Sequence, residues 1–221
     1  MEKKLLTIFG ASGLVGSSIL REALDRGYHV NGTLRDVDNQ DRITRLKSLP
    51  SGNNAKFFQA DMAEISSLDH PLINSDAAII CCLIPTYKGF DGTPAKELDD
   101  ERGYNEIIKP TVDGCLNILK SAKINNVKNI LICSSTSSTN PIPPVLVKNE
   151  LDHWSDEKEQ CNSKKYTSAA KTYMERAAFK FCDENKMRLS VFLPTGLYGP
   201  AILPEHLKHN PCFWIKSVLE G

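Results

Sequence analysis

The stretch Gly10-Ala11-Ser12-Gly13-Leu14-Val15-Gly16 decides the fold. Just before it, Leu5 to Phe9 is an apolar run of strand length. Just after it, Leu14, Val15, Ile19, Leu20, Ala23 and Leu24 recur at helical spacing until Gly27, a residue suited to a helix C-terminus. Each glycine of GxxGxxG has a physical reason to be there. Gly10 permits a tight turn, Gly13 lets backbone approach a ligand, and Gly16 lets helix and strand pack closely. A helix opening on such a turn offers unpaired N–H groups and a positive dipole end to an anion. Gly10, Ser12, Gly13, Leu14, Val15 and Gly16 therefore read as a cradle for a pyrophosphate. The bland alternative is an ordinary glycine-rich turn. The strand before the motif and the helix after it favour the cradle.

Outward from the motif, strand and helix patterns alternate. Strands are expected at Tyr28 to Leu34, Ala55 to Ala60, Ala77 to Leu83, Val127 to Cys133 and Arg188 to Leu193. Helices are expected at Gln40 to Leu49, near Glu64 to Leu68, at Glu101 to Ile124 with a kink or restart at Pro110, and at Ser163 to Asn185. Ala77 to Leu83 is continuously apolar, as a strand buried on both faces must be. This order predicts an α/β, Rossmann-type, doubly wound parallel sheet with helices on both faces. Residues 1–195 are expected to form that nucleotide-binding domain. Residues 196–221 are expected to begin a substrate-binding region that is truncated or reduced.

Composition narrows the function classes. The 221 residues carry 27 basic and 27 acidic side chains, a formal net charge of zero, and no Lys/Arg run longer than two. Such a surface has no general attraction for a phosphate backbone, so nucleic acid is not an expected partner. The longest apolar run, Ala77 to Pro85, is less than half a membrane span, and no targeting signal is visible, so no membrane partner is expected. Seven cysteines without a CxxC, three of them (Cys81, Cys82, Cys133) in apolar runs, suit reduced thiols in a cytoplasmic protein. His206 and His209 form HxxH without a third ligand nearby. They read as a solvated loop or helix end, with no metal site.

The residues after the second strand bear on which dinucleotide is held. An acidic residue there would bond a ribose 2′-hydroxyl, whereas a basic one receives a 2′-phosphate. The sequence runs Thr33-Leu34-Arg35-Asp36, with Arg42 and Arg45 beyond. Arg35 is placed to stack on adenine and contact the phosphate, with Arg42 as a second donor. The expected cofactor is NADP, with NAD left open by Asp36. The competing reading makes these arginines solvated charges.

With these residues placed, the chain resembles the extended short-chain dehydrogenase/reductase family of the NAD-dependent epimerase/dehydratase superfamily. The nearest branch is that of dihydroflavonol and cinnamoyl-CoA reductases. The likeness runs from residue 4 to about residue 221. It is carried by GASGLVG, GTLRD (Gly32 to Asp36), Ala60-Asp61-Met62, NEIIKPTVDGCLNIL (Asn105 to Leu119), VKNILICSS (Val127 to Ser135), Trp154-Ser155-Asp156 and PTGLYGP (Pro194 to Pro200). Phe9 stands where the family usually has threonine, and the chain stops just inside the family's substrate domain. The resemblance implies that Asp61 meets the adenine amine, with Met62 beside it. It also puts Pro194, Thr195 and Gly196 against the nicotinamide. Cys82, Leu83 and Ile84, ending the central apolar run, join the expected cofactor contacts.

The same resemblance implies a serine, a tyrosine and a lysine that reduce the carbonyl of a small molecule. Ser135 would polarise the oxygen, Tyr166 would donate the proton, and Lys171 would tune the phenol and hold the ribose. Ser134 is the neighbour most easily confused with Ser135, and a plain loop hydroxyl is the bland alternative for either. The family spacing is YxxxK, but Tyr166 and Lys171 are five apart, and the residue four before Lys171 is Thr167. At about 100° per residue, four steps leave two groups about 40° apart and five steps about 140°. Either a π-bulge returns Tyr166 to the lysine's face, or the site is degenerate; the bulge is preferred because both residue types survive. Tyr173 has no lysine partner four residues on, and Trp154 is a mouth residue or a packing residue. The leading expectation is an NADP(H)-dependent reductase of a ketone or aldehyde. The alternatives are a catalytically silent nucleotide-binding sensor or scaffold and a sugar-nucleotide epimerase or dehydratase, the latter disfavoured by Arg35. Oligomeric state is left open, with a homodimer as the candidate assembly.

Overall fold

Alternating apolar side chains in the strands point to two separate cores, and that alternation builds the architecture. The computed structural model describes residues 4–149, 151–209 and 217–219. Its strands are β1 (Leu5–Phe9), β2 (His29–Leu34), β3 (Ala55–Gln59), β4 (Ala77–Ile80), β5 (Asn129–Cys133) and β6 (Arg188–Phe192). They pair in the order β3-β2-β1-β4-β5-β6, every pair parallel. Order reverses at β1, so a crevice opens beyond the ends of β1 and β4, where open α/β sheets hold ligands.

On one face Ile8, Val30, Leu34 and Ile79 pack with Leu20 and Leu24 of α1 (Leu14–Asp25) and with Ile43 and Leu46 of α2 (Gln40–Lys47). On the other, Phe9, Ile80, Ile130 and Ile132 meet Leu72 of α3 (Asp69–Leu72), Ile118 and Leu119 of the long helix before β5, and Met174 and Ala178 of the one before β6. Neighbouring residues such as Ile8 and Phe9 thus fall on opposite faces, the period of a pleated strand. Burial on both faces explains why the strands read as continuous apolar runs.

Three elements differ from expectation. The fourth strand ends at Ile80, with one more ladder bond from Cys81 N–H to the Phe9 carbonyl (2.9 Å), before Ile84 N–H turns back to the Cys82 carbonyl. The helix expected at Glu101 to Ile124 has three parts: α4 (Asp100–Arg102), a π-helical segment Gly103–Ile108, and α5 (Lys109–Ile124) with Pro110 in its first turn. Proline lacks an N–H and crowds the carbonyl four residues back, and a widened turn just before it relieves both conflicts. The helix expected at Ser163 to Asn185 begins three residues later, as α7 (Tyr166–Glu184), and a separate short helix, α6 (Glu157–Asn162), precedes it. Between them Lys164 takes a left-handed φ of 57°.

After residue 195 the chain runs back over the α1 face. Leu203 is buried among the residues of the α1 face, just before the short α8 (His206–His209). The side chain of His209, residues 210–216 and residues 220–221 lie outside the described residues, so the rest of the expected substrate region is not described.

Candidate functional site: a dinucleotide cradle and an altered catalytic helix

The glycine turn forms as its sequence predicts. Gly10 has a φ of +84°, and a Cβ on it would lie 3.0 Å from the Cα of Cys82. A Cβ on Gly16 would lie 2.1 Å from the Gly10 carbonyl oxygen, so this glycine serves the approach of helix to turn rather than helix to strand. Gly13 is exposed, with ordinary backbone and only a 3.4 Å contact for an added Cβ. Its smallness serves whatever approaches from outside. No side chain caps α1, and no acidic residue sits in its first turn. The Gly13 N–H bonds back to the Gly10 carbonyl (3.0 Å), and the N–H groups that open α1 after it meet neither a side-chain cap nor a repelling charge in that turn. This geometry fits a pyrophosphate.

At the end of β2, Arg35 is exposed and makes no hydrogen bond or ion pair among the described residues. Arg42 is already engaged: its Nε and Nη2 both lie 2.7 Å from Oε1 of Glu205. Its backbone N–H is capped by the Asn39 side chain, which fixes the start of α2. Asp61 is half-buried and uses one carboxylate oxygen to accept from the Ala63 N–H at 2.9 Å. Met62 packs against Gly114, and its carbonyl accepts from Asn117.

His206 departs from the solvated end expected of it. It is buried, its Nδ1 accepts from the Leu203 N–H (3.3 Å), and its Nε2 therefore donates to the Ser12 carbonyl at 2.9 Å. The chain after β6 thus reaches back onto the glycine turn. Among the described residues no cluster of three or more His, Cys, Asp or Glu could hold a metal. The described cysteines are free.

At the far end of the crevice, Ser134 and Ser135 have separate roles. Ser134 donates to the buried carboxyl of Glu175 on α7, which burial holds above the ordinary glutamate range. Ser135 is half-buried, and its Oγ accepts from the Ser137 N–H (3.2 Å), which leaves the hydroxyl hydrogen to donate. Lys171 is buried, and its amine donates to the Leu83 carbonyl. Burial pushes that amine below the usual lysine range, opposed by Cys133 and Glu175. Cys82 beneath it is pushed up to about 12 by burial. Leu83 is buried and Ile84 exposed, while Pro194 is half-buried, its carbonyl accepting from Thr136, and Thr195 and Gly196 are exposed.

Tyr166 does not join this group. Helix α7 is α-helical from its first residue to its last, so the expected π-bulge is not there; the π turn lies in Gly103–Ile108. Without it the five-residue spacing stands, and the phenol points elsewhere. Its ring is buried against Gly103, and its hydroxyl donates to Asp100 Oδ1 at 2.6 Å, an oxygen shared with Lys164 (2.8 Å). Burial and Asp100 raise the phenol's pKa despite Lys164, the opposite of what a proton donor at neutral pH needs. Thr167 stands four residues before Lys171, and its hydroxyl donates to the Thr86 carbonyl. Trp154 packs edge-on to Phe179 (6.0 Å), under the Arg176 guanidinium (4.9 Å). The adjoining Ser155 and Asp156 tie down the loop after β5 and cap α6.

Sequence reasoning missed Asp100, Gly103 and Glu205. Each acts through a contact distant in the chain, and no local pattern marks it.

The β1/β4 crevice and its glycine turn define an α/β protein of the Rossmann, dinucleotide-binding type. The sequence model of the NAD dependent epimerase/dehydratase family matches residues 6–221, and the chain belongs to that family. Its relatives include the bifunctional dihydroflavonol 4-reductase/flavanone 4-reductase of Malus domestica, 30% identical over 210 residues. That alignment covers 92% of this chain and 57% of the relative. An anthocyanidin reductase ((2S)-flavan-3-ol-forming) of Vitis vinifera is 29% identical over 209 residues, covering 92% and 59%. The chain therefore spans a little under three fifths of the curated relatives it matches. Yeast methylglyoxal/isovaleraldehyde reductase complexed with NADPH superposes with a TM-score of 0.71 at 19% identity, covering 92% of this chain and 61% of that one. Vestitone reductase from alfalfa (Medicago sativa L.) gives 0.67 at 22%, covering 91% and 60%. The two solved structures show the same fold, and the two curated relatives are of the extended short-chain dehydrogenase/reductase branch that the motifs resemble. Among the described residues no helix is long and apolar enough to cross a membrane.

Proposed function

We propose that this chain binds NADP(H) across the β1/β4 crevice and belongs to a reductase that acts slowly on a ketone or aldehyde of a small organic molecule. The observation that carries this reading is the uncapped, acid-free start of α1 beside Gly10, Gly13 and Gly16, with Arg35 just past the end of the adjacent strand and Arg42 in the first turn of α2. The reductase relatives support the chemistry, and Arg35 favours it over sugar-nucleotide epimerisation. Bound NADPH would supply a hydride. Ser135, with a hydroxyl hydrogen to give, would hold the substrate oxygen as charge develops. Lys171, from the floor of the crevice, would exchange the Leu83 carbonyl for a ribose hydroxyl and keep the nicotinamide in place. Asp61 and Met62 would flank the adenine, with Cys82 to Ile84 and Pro194 to Gly196 lining the nicotinamide end.

Slowness follows from the acid. The alcohol of Thr167, in the tyrosine's place, is a far weaker acid than a phenol, and the Tyr166 hydroxyl is committed to its hydrogen bond with Asp100. That bond favours a second reading, a nucleotide-binding module without turnover. Fluorescence titration with NADPH and NADH, followed by an aldehyde and ketone panel, separates the two. Binding with slow NADPH oxidation supports the reductase, and binding with none on any carbonyl supports the silent module. Failure to bind either nucleotide ends both readings.

A further inference from the structure

We propose that Glu205 sets how strongly this chain prefers a 2′-phosphorylated adenosine, by competing with that phosphate for the Arg42 guanidinium. The inference rests on the dinucleotide reading above. Of the two arginines placed to receive the phosphate, Arg35 has no side-chain partner among the described residues, whereas both guanidinium contacts of Arg42 go to one Glu205 oxygen at 2.7 Å. The pair is partly shielded, with the arginine side chain 27% and the glutamate 38% exposed.

Glu205 is also held in place. Leu203, two residues before it, is 1% exposed in the α1-face core, and His206 immediately after it donates to the Ser12 carbonyl in the glycine turn. Asn39 fixes the Arg42 end. A 2′-phosphate arriving at Arg42 must displace a fixed carboxylate and withstand its charge. A nucleotide with a 2′-hydroxyl needs neither, so the carboxylate taxes NADPH and leaves NADH nearly untouched. The histidine gives the arrangement a second consequence: the strap carrying Glu205 also buttresses the backbone on which the pyrophosphate sits.

The test uses the full chain, titrated with NADPH, NADH and 2′,5′-ADP. Glu205→Gln keeps the side chain's size and removes its charge, and Glu205→Ser guards against an accident of glutamine bonding. Both variants are expected to tighten NADPH and 2′,5′-ADP by about three- to ten-fold while NADH changes by less than about two-fold. The gain should vanish in the Arg42→Gln/Glu205→Gln double variant. Equal changes for NADPH and NADH, or a gain that survives loss of Arg42, would overturn the inference and leave the cofactor reading standing. No binding of any of the three probes by the unaltered protein would overturn the cofactor reading itself, and this inference with it.

Discussion

The two ends of the β1/β4 crevice follow different logics. At the glycine turn, the groups on offer are backbone N–H groups of consecutive residues, and close neighbours enforce two of the three glycines, Gly10 and Gly16. At the start of α7, the relevant groups are side chains, and their phase around a helix decides whether they meet. One residue of offset leaves the turn untouched but sends a phenol from the crevice to Asp100. Backbone-built sites thus tolerate little change in sequence, while side-chain-built sites can lose their geometry and keep their residue types.

The sharpest way to break the comparison is to damage the turn. Gly16→Ala puts a Cβ where the Gly10 carbonyl oxygen lies. It is expected to cost about 3 kcal/mol or more and to abolish nucleotide binding, as read by thermal melting and NADPH fluorescence. If the variant binds NADPH normally, the turn is not the anchor. The second test rebuilds the other end. Thr167→Tyr places a phenol four residues before Lys171, and NADPH-dependent carbonyl reduction is expected to rise by about ten-fold or more. Tyr166→Phe should change turnover by less than about two-fold and cost about 1 kcal/mol of stability through the lost Asp100 bond. The opposite pattern would restore Tyr166 as proton donor.

The smallest effect concerns Glu175, which joins α7 to the end of β5. Burial raises its folded pKa, so the fold prefers the protonated carboxyl. Stability should therefore fall as pH climbs from the ordinary glutamate range through the raised value. Glu175→Gln imitates the protonated form and keeps a partner for Ser134. Its melting temperature should vary less with pH and lie a few degrees above the parent's at neutral pH; parallel curves would show that the carboxyl's charge costs nothing there.

The sequence exposed what is local. GxxGxxG, the apolar strand runs and the serine pair after β5 could all be read because neighbouring residues determine them. The end of β4 at Ile80 was not legible: the run stays apolar to Leu83, and only the turn at Cys82 to Ile84 stops the pairing. The π turn was expected in the wrong helix, since the spacing anomaly was visible at Tyr166 while its neighbour's irregularity, before Pro110, was not. Arg42 was expected as a free phosphate donor, but it has a partner 163 residues away that no local pattern shows. His206 looked solvated because nothing in HxxH reveals a buried carbonyl waiting at Ser12.

Gly103 carries one last consequence. A Cβ there would lie 2.5 Å from the Tyr166 ring, so that ring fits only because residue 103 has no side chain. The vacancy acts as a mould: it lets the aromatic ring at the head of α7 become masonry between two helices. In this chain, then, one missing methyl group decides where that ring rests, and any side chain put back at residue 103 would have to evict it.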